Sequence, residues 1–308
     1  MRIKRAIVTG ANGFVGTALC HALVKKGYKV IAIVRNPKSN VKGIDNVDNI
    51  EIRYCDLSEY RQLSKIIDGY GFDVFFHMAW NGTSGELRGS DEVQIKNIQY
   101  ACDAVRACAE LQCRRFVFAS SIMEYEITKF METAEAPGIN TLYSSAKVAA
   151  DYMARTIAAH LGIDYIRTVI SNIYGPGEKS ARLVNTSIRK MLKGEYCAFS
   201  EGRQLYDFIY IDDAAEAFVS IGEKGKANKT YYIGSLNPRP LRNFLVDMKN
   251  QVDPSIEIGL GEIPFNGVTL QYNEFDIEAV KRDTGFEPHV TFSQGIRNTI
   301  QWIREEEE

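Results

Sequence analysis

The chain has 308 residues, 45% of them apolar and 25% charged, with 37 Lys plus Arg against 39 Asp plus Glu for a net charge of -2. That composition excludes a disordered, collagen-like or coiled-coil chain, and no whole-protein field favours nucleic acid or an anionic membrane. The length allows one large α/β unit or two modest domains of about 100 to 200 residues. No apolar run approaches the ~18 residues of a membrane span. The start, Met1-Arg2-Ile3-Lys4-Arg5, enters a strand-like segment with no signal-peptide core, so a cytoplasmic protein with no membrane or nucleic-acid partner is expected. Six scattered cysteines form no Cys-x-x-Cys pair and are read as reduced, packed thiols with no metal among them.

In chain order, a strand over Ile3–Thr9 runs into Gly10-Ala11-Asn12-Gly13-Phe14-Val15-Gly16, and Thr17–Lys26 reads as helix. Further β-rich runs are Val30–Val34, Ile50–Ile52, Val74–Phe76, Phe116–Phe118 and Tyr165–Ile170. Continuous apolar runs with helices between them predict a doubly wound parallel sheet covered on both faces. Helices are predicted over Asp91–Leu111, with a stripe of Ile95, Ile98, Cys102, Val105 and Ala109, and over Thr141–Leu161. The second carries Leu142, Ala146, Ala149, Met153 and Ile157, with Gly162 as its C-terminal stop; both stripes are read as core, or core plus dimer interface. After Gly175 prolines accumulate and elements shorten, which predicts a smaller α/β lobe. Asp207–Ile211 followed by Asp212–Phe218 reads as strand then capped helix, able to rejoin the first unit. The expected division is residues 1–175 plus about 204–233 for a dinucleotide-binding domain, and about 176–203 plus 234–308 for a substrate lobe. Glu305–Glu308 is read as a solvated, fraying end.

A glycine-rich turn between a first strand and a first helix brings backbone N–H groups and the helix dipole to a pyrophosphate. An acid at the end of the second strand would accept from a ribose 2′-hydroxyl and repel a 2′-phosphate. Here that strand ends Val34-Arg35-Asn36-Pro37-Lys38, so Arg35 offers a planar fork and Lys38 a second positive charge, favouring NADP(H) with NAD as the alternative. Asp56, before Leu57, is positioned to accept from an adenine amino group.

Tyr143-Ser144-Ser145-Ala146-Lys147 places a phenol and an ammonium one helical turn apart, where the cation favours the ionised phenol. The apolar strand Phe116–Ala119 ends in Ser120 and Ser121, at the carboxyl edge where the crevice of an open parallel sheet lies. A hydroxyl there can bond the substrate oxygen that Tyr143 protonates or deprotonates.

Together these motifs resemble the extended short-chain dehydrogenase/reductase family, in its nucleotide-sugar epimerase, dehydratase and reductase branch. His77-Met78-Ala79, Asn97, Asn172-Ile173-Tyr174-Gly175-Pro176-Gly177, the Asp207–Asp213 segment and Thr284-Gly285-Phe286-Glu287-Pro288 extend the likeness over essentially the whole chain. The resemblance implies a Rossmann-type sheet, a nucleotide-sugar substrate and a homodimer paired through the two long helices. It implies Tyr143 as general acid/base, Lys147 bonded to the nicotinamide ribose while lowering the phenol, and Ser121, four residues before Tyr125, orienting the sugar oxygen. Gly10, Asn12, Gly13, Phe14, Val15, Gly16, Arg35, Asp56, Leu57, Met78, Ala79, Asn97, Tyr143 and Lys147 become the cofactor-binding set. Trp80, Ile122, Met123, Asn172, Arg182 and Tyr206 become the substrate-binding set.

The sequence also departs from that pattern. Dehydratases of the family carry an Asp-Glu pair after the strand-end hydroxyl, where this chain has Ile122 and Met123, side chains that transfer no proton. Val and Gly around Tyr125 are replaced by Glu124 and Glu126, which suggests a polar feature beside the substrate. An Arg commonly preceding the Asp-Phe pair is Tyr206, and no Arg lies near Gln271, so a diphosphate needs another cation: Arg182 first, then Arg203 or Arg239. Reduction of a 4-keto nucleotide sugar is the expected reaction. A 4-epimerase recycling its NAD, a carbonyl reductase of smaller substrates, and a catalytically silent dinucleotide sensor are the alternatives.

Overall fold

The apolar runs of the first half assemble side by side. In the computed structural model, which describes residues 4–132, 137–265 and 267–307, seven strands form one sheet: β1 (Lys4–Thr9), β2 (Tyr28–Val34), β3 (Ile50–Tyr54), β4 (Val74–His77), β5 (Arg115–Ser121), β6 (Asp164–Ile170) and β7 (Thr230–Ile233). Their order is β3-β2-β1-β4-β5-β6-β7, every pairing is parallel, and the architecture is the Rossmann type. Alternate residues point to opposite faces. Ala6, Val8, Val30, Ala32, Val74 and Phe76 therefore enter one apolar cluster, while Ile7, Ile31, Ile33, Phe75, Phe116 and Phe118 enter another.

Helix α1 (Phe14–Lys25) covers the first face together with α4 (Ile211–Lys224). The second face is covered by α2 (Asp91–Glu110) and α3 (Thr141–His160). The strand order reverses between β1 and its neighbours β2 and β4, which is where an open α/β sheet leaves its crevice. The glycine turn after β1 and Ala79 after β4 both open into it.

The stripes predicted on the two long helices are partly rotated from the faces that bury. On α3 the core-facing residues are Tyr143, Ala146, Lys147, Ala150, Ala154 and Ala158, while Met153 is 51% exposed. On α2, Cys102 and Val105 are buried, but Ile95 is 64% exposed. Close approach of two helices and a sheet selects small side chains over the larger ones of the apolar stripe. Gly162 does end α3, at φ +71°, in the left-handed conformation suited to glycine.

Beyond β6 the short strand Asn172–Tyr174 pairs in parallel with Phe208–Tyr210 outside the large sheet, and β7 then returns to it. The expected cap on α4 is absent: Tyr210 occupies that position without a side-chain bond, and Asp213 turns inward to accept from His289 N–H (3.1 Å) and Val290 N–H (2.8 Å). Helices Leu183–Leu192, Leu241–Val252 and Phe292–Glu307 share the apolar cluster of the first sheet face through Ile188, Phe244 and Ile303. The acidic end does not fray as expected. The last helix runs to Glu307, with Glu306 paired to Lys179 (2.6 Å) and Arg189, and Glu307 paired to Arg189 (2.9 Å). Ile3 and Glu308, which began the first predicted strand and ended the charge run, lie outside the described residues. All six cysteines are buried and free. Among the described residues no helix is long and apolar enough to cross a membrane.

Candidate active site

The turn after β1 is built by close approach. Gly10 has φ +63°, and a Cβ there would lie 3.0 Å from the Ala79 backbone; one on Gly16 would lie 2.1 Å from the Gly10 carbonyl oxygen. Gly13 occupies the position before α1 with no side-chain cap, leaving first-turn N–H groups free for an anion. The Thr9 hydroxyl accepts from Met78 N–H (3.1 Å) and Ala79 N–H (3.2 Å), tying the ends of β1 and β4 together. A cavity of about 480 Å³ opens here, lined by Gly10, Asn12, Arg35, Lys38, Leu57, Ala79 and Trp80 among others. A glycine cradle, an uncapped helix and two cations fit a dinucleotide phosphate chain.

Other expected cofactor residues act from behind this cavity. Gly16 provides the close packing, Val15 and Met78 pack against the core, and the Phe14 ring sits 3.6 Å from where a Gly177 Cβ would lie. One Asp56 oxygen is spent on Ser58 N–H (3.0 Å) and the Ser58 hydroxyl (2.7 Å), and the other lies 3.8 Å from Arg35 Nε. Burial pushes that carboxyl up, but the Ser58 bonds and the Arg35 charge outweigh it and hold it below its ordinary value. Asn97 is corrected from cofactor contact to loop clamp: it accepts from Asn81 N–H (3.1 Å) and donates to the Asn81 carbonyl (2.8 Å). Arg35 itself donates to Asn81 Oδ1 (2.6 Å).

Ser121, Met123, Tyr143, Asn172, Arg182 and Tyr206 line a second cavity, of about 800 Å³. Ser121 stands beside the Tyr143 phenol in this cavity and pulls it down, whereas Ser120 is buried with no partner, so the second serine is the one that faces the cavity. Two substrate expectations fail. Ile122 packs into an apolar cluster with Val169, Tyr232 and Tyr272, because consecutive residues leaving a strand point to opposite sides. Trp80 lines the dinucleotide cavity instead, with its indole N–H donating to Gln94 (2.9 Å) and its ring edge-on to Tyr143 at 6.1 Å.

Lys147 donates to the Ala119 carbonyl (2.7 Å) and lies 3.8 Å from the Trp80 ring centre and 5.9 Å from that of Tyr143. Burial pulls its ammonium down to about 7, with Glu124 acting against that pull. The Lys147 ammonium, one turn away, does not bring the Tyr143 phenol below its ordinary value. Burial raises the phenol most; Ser121, Arg88 and Arg182 pull it down, Glu124 pushes it up, and the balance stays above the ordinary value.

Sequence reading missed Arg88 and Lys190, both lining the large cavity. The Arg88 guanidinium sits 4.2 Å from the Tyr143 ring centre, on a turn whose sequence carries no periodic signal. Of the three cations considered for a diphosphate, only Arg182 lines the cavity; Arg203 pairs with Glu201 (2.5 Å) and Arg239 with Asp247 (2.6 Å). The polar feature expected from Glu124 is absent from the cavity wall, since its carboxylate is buried on Arg167.

The profile of the NAD dependent epimerase/dehydratase family matches residues 6–234. The chain belongs to this family of enzymes. It is 26% identical to UDP-N-acetyl-alpha-D-glucosaminuronate decarboxylase of Bacillus cytotoxicus, covering 98% of each chain. It is 30% identical to dTDP-glucose 4,6-dehydratase 1 of Escherichia coli, over 97% of this chain and 92% of that one. Among solved structures, the Bordetella bronchiseptica enzyme WbmF in complex with NADH superposes with a TM-score of 0.81 at 18% identity, covering 99% of this chain and 93% of that one. UDP-glucuronic acid 4-epimerase from Bacillus cereus, in complex with UDP-glucuronic acid and NAD, gives 0.80 at 20% identity over 98% and 99%. The family is NAD-dependent by its description.

Proposed function

We propose that this protein reduces a 4-keto nucleotide sugar with NADP(H). The observation that carries the reading is the cavity wall. Ser121 and Tyr143 stand together on it, while the two positions that follow Ser121 hold no proton-transfer group: Ile122 is sealed in a core and Met123 presents a thioether. That leaves carbonyl–carbinol chemistry without the machinery for eliminating water. A nicotinamide held by the glycine turn and Lys147 would supply the hydride; the chain's residues handle the proton and the positioning. Ser121 orients the sugar oxygen, Tyr143 delivers the proton to it, and Lys147 holds a ribose hydroxyl beside the phenol. Arg35 and Lys38 line the dinucleotide cavity, and their charges would pair with a 2′-phosphate.

Arg182, with Arg88 and Lys190, supplies the positive charge that a diphosphate leaving water requires. The exposed Ile95, Tyr152 and Met153 on α2 and α3 support pairing of two copies through these helices.

The test is a panel of 4-keto nucleotide sugars with NADPH, read at the reduced-nicotinamide absorbance and against NADH. Stoichiometric oxidation of NADPH with one product epimer is the expected result. Interconversion of 4-epimers without net cofactor consumption would replace the reading with an epimerase. Reduction of phosphate-free carbonyls alone would replace it with a small-molecule reductase, and cofactor binding without any turnover would leave a dinucleotide sensor.

A further inference from the structure

Glu124 stands where the family pattern around Tyr125 has an apolar residue, yet it is only 3% exposed. Its carboxylate folds back beneath the turn leaving β5. Oε1 accepts from the Ser121 N–H (3.4 Å) while the Ser121 hydroxyl oxygen accepts from Met123 N–H (3.2 Å), closing a reciprocal capping box. Oε2 accepts from Arg167 on β6. The Arg167 Nε lies 3.7 Å from Asp151, one turn beyond Lys147 on α3, and Asp151 in turn accepts from the Tyr165 hydroxyl (2.9 Å) and sits 3.4 Å from Arg155. A carboxylate buried this deeply is tolerated only when its oxygens are bonded and its charge is paired. Both conditions are met here by catalytic-turn backbone and a single guanidinium.

We propose that Glu124 is a positioning residue: it clamps the Ser121 turn onto Arg167 and supplies the buried counter-charge for the Lys147 ammonium. The groups around that ammonium leave Glu124 in this role. β5 offers the Ala119 carbonyl and the Phe118 ring, and Trp80 offers its ring face. From β4 comes His77, whose imidazole burial and Lys147 hold neutral, down to about 3. From α3 itself comes the Tyr143 phenol, raised by burial, and Asp151 is engaged by Arg167, Arg155 and Tyr165. Glu124 hangs from the Ser121 N–H, two residues past the Ala119 carbonyl that Lys147 holds, and its charge opposes the burial that would strip the ammonium's proton. A conventional hydrophobic residue at this position would hold the turn less firmly and leave the ammonium facing only carbonyl and ring density.

The inference rests on the roles given to Ser121 and Lys147 above, so its test uses no substrate. In protein labelled with 13C-lysine, the Lys147 side-chain signal is identified by its loss in Lys147→Met, and its titration midpoint is followed against pH. Glu124→Gln keeps the shape and removes the charge, and the Lys147 midpoint should fall by about one pH unit or more. Amide exchange at Ser121 should accelerate by about tenfold or more in Glu124→Val, which loses the acceptor. A Lys147 midpoint unmoved by Glu124→Gln overturns the proposal. If that variant does not fold, Glu124→Met, which likewise removes the carboxylate charge and leaves Arg167 on Asp151, takes its place, and the same fall in midpoint is required of it. A shifted midpoint in a protein that turns over no nucleotide sugar would keep Glu124 in place and dismiss the proposed reaction alone.

Discussion

The Arg88 guanidinium lies over the Tyr143 phenol, 4.2 Å from the ring centre, and donates to the Thr83 carbonyl (3.0 Å). This cation belongs to a loop far from Tyr143 in sequence, yet it acts on the group assigned to move the proton. Because Arg88 pulls the phenol down, Arg88→Met should raise it. The phenolate absorbance of Tyr143, read as the difference from Tyr143→Phe, should then appear at higher pH. For each pH unit by which the phenolate onset rises, turnover in the oxidative direction at neutral pH should drop by about tenfold. An unchanged pH profile would show that Arg88 serves the substrate alone.

Tyr143→Phe should lower turnover by about two orders of magnitude or more while cofactor affinity stays nearly intact, the pattern of a lost general acid/base. Lys147→Met should damage both, since one ammonium serves ribose and phenol. Near-normal turnover of Tyr143→Phe on the substrate would remove the assignment.

Arg35 and Asp56 approach to 3.8 Å at the rim of the dinucleotide cavity. Arg35→Asp places two carboxylates there, so NADPH affinity should fall by about tenfold or more while NADH affinity holds or rises. Titration calorimetry with both cofactors measures this. Equal loss of both affinities would mean that Arg35 shapes the loop through Asn81 and does not read the phosphate.

Arg182→Ala should weaken nucleotide-sugar binding by about tenfold and leave NADPH binding unchanged, because Arg182 lines only the larger cavity. Binding by the unmodified protein should also weaken as salt rises. Calorimetry in which Arg182→Ala binds the nucleotide sugar normally would assign the diphosphate to Arg88 or Lys190.

His77 is buried against Phe116 and Phe118, and its imidazole is pulled down to about 3, first by burial and then by Lys147. The unfolded chain binds a proton near pH 6.5 that the folded chain refuses. The contribution of His77 is thus fully present above about pH 6.5 and is lost progressively as pH falls toward 3. Between pH 7.5 and 5 it should amount to about 2 kcal/mol. Urea unfolding of His77→Phe, which keeps the ring stacking, should show a stability loss over that interval smaller by this amount. Parallel curves for the two proteins would mean that the imidazole is protonated in the fold.

Strands, the glycine turn and the Tyr143/Lys147 pair were legible in the sequence because each is a short-range pattern: a two-residue or four-residue period, or a glycine demanded by a close approach within one βα unit. The sequence therefore determined the sheet of the first half, the glycine turn that leads into α1 and the pairing of phenol with ammonium on one helix face, although it began α1 at Thr17 where the structure begins it at Phe14. Other features depend on which surfaces meet. Small residues on α2 and α3 turned toward the core and displaced the larger apolar stripe, since helices packed on a sheet must approach closely. Ile122 was drawn inward beside Tyr232, Trp80 was placed on the cofactor side, and Asn97 was occupied by the loop it clamps. Arg88 over Tyr143, and Glu124 bonded to Arg167 beneath Ser121, join residues from separate elements, and no local spacing encodes them. Tertiary structure alone also decided the state of the Tyr143 phenol, because burial, which acts on it most strongly, outweighs the nearby cations.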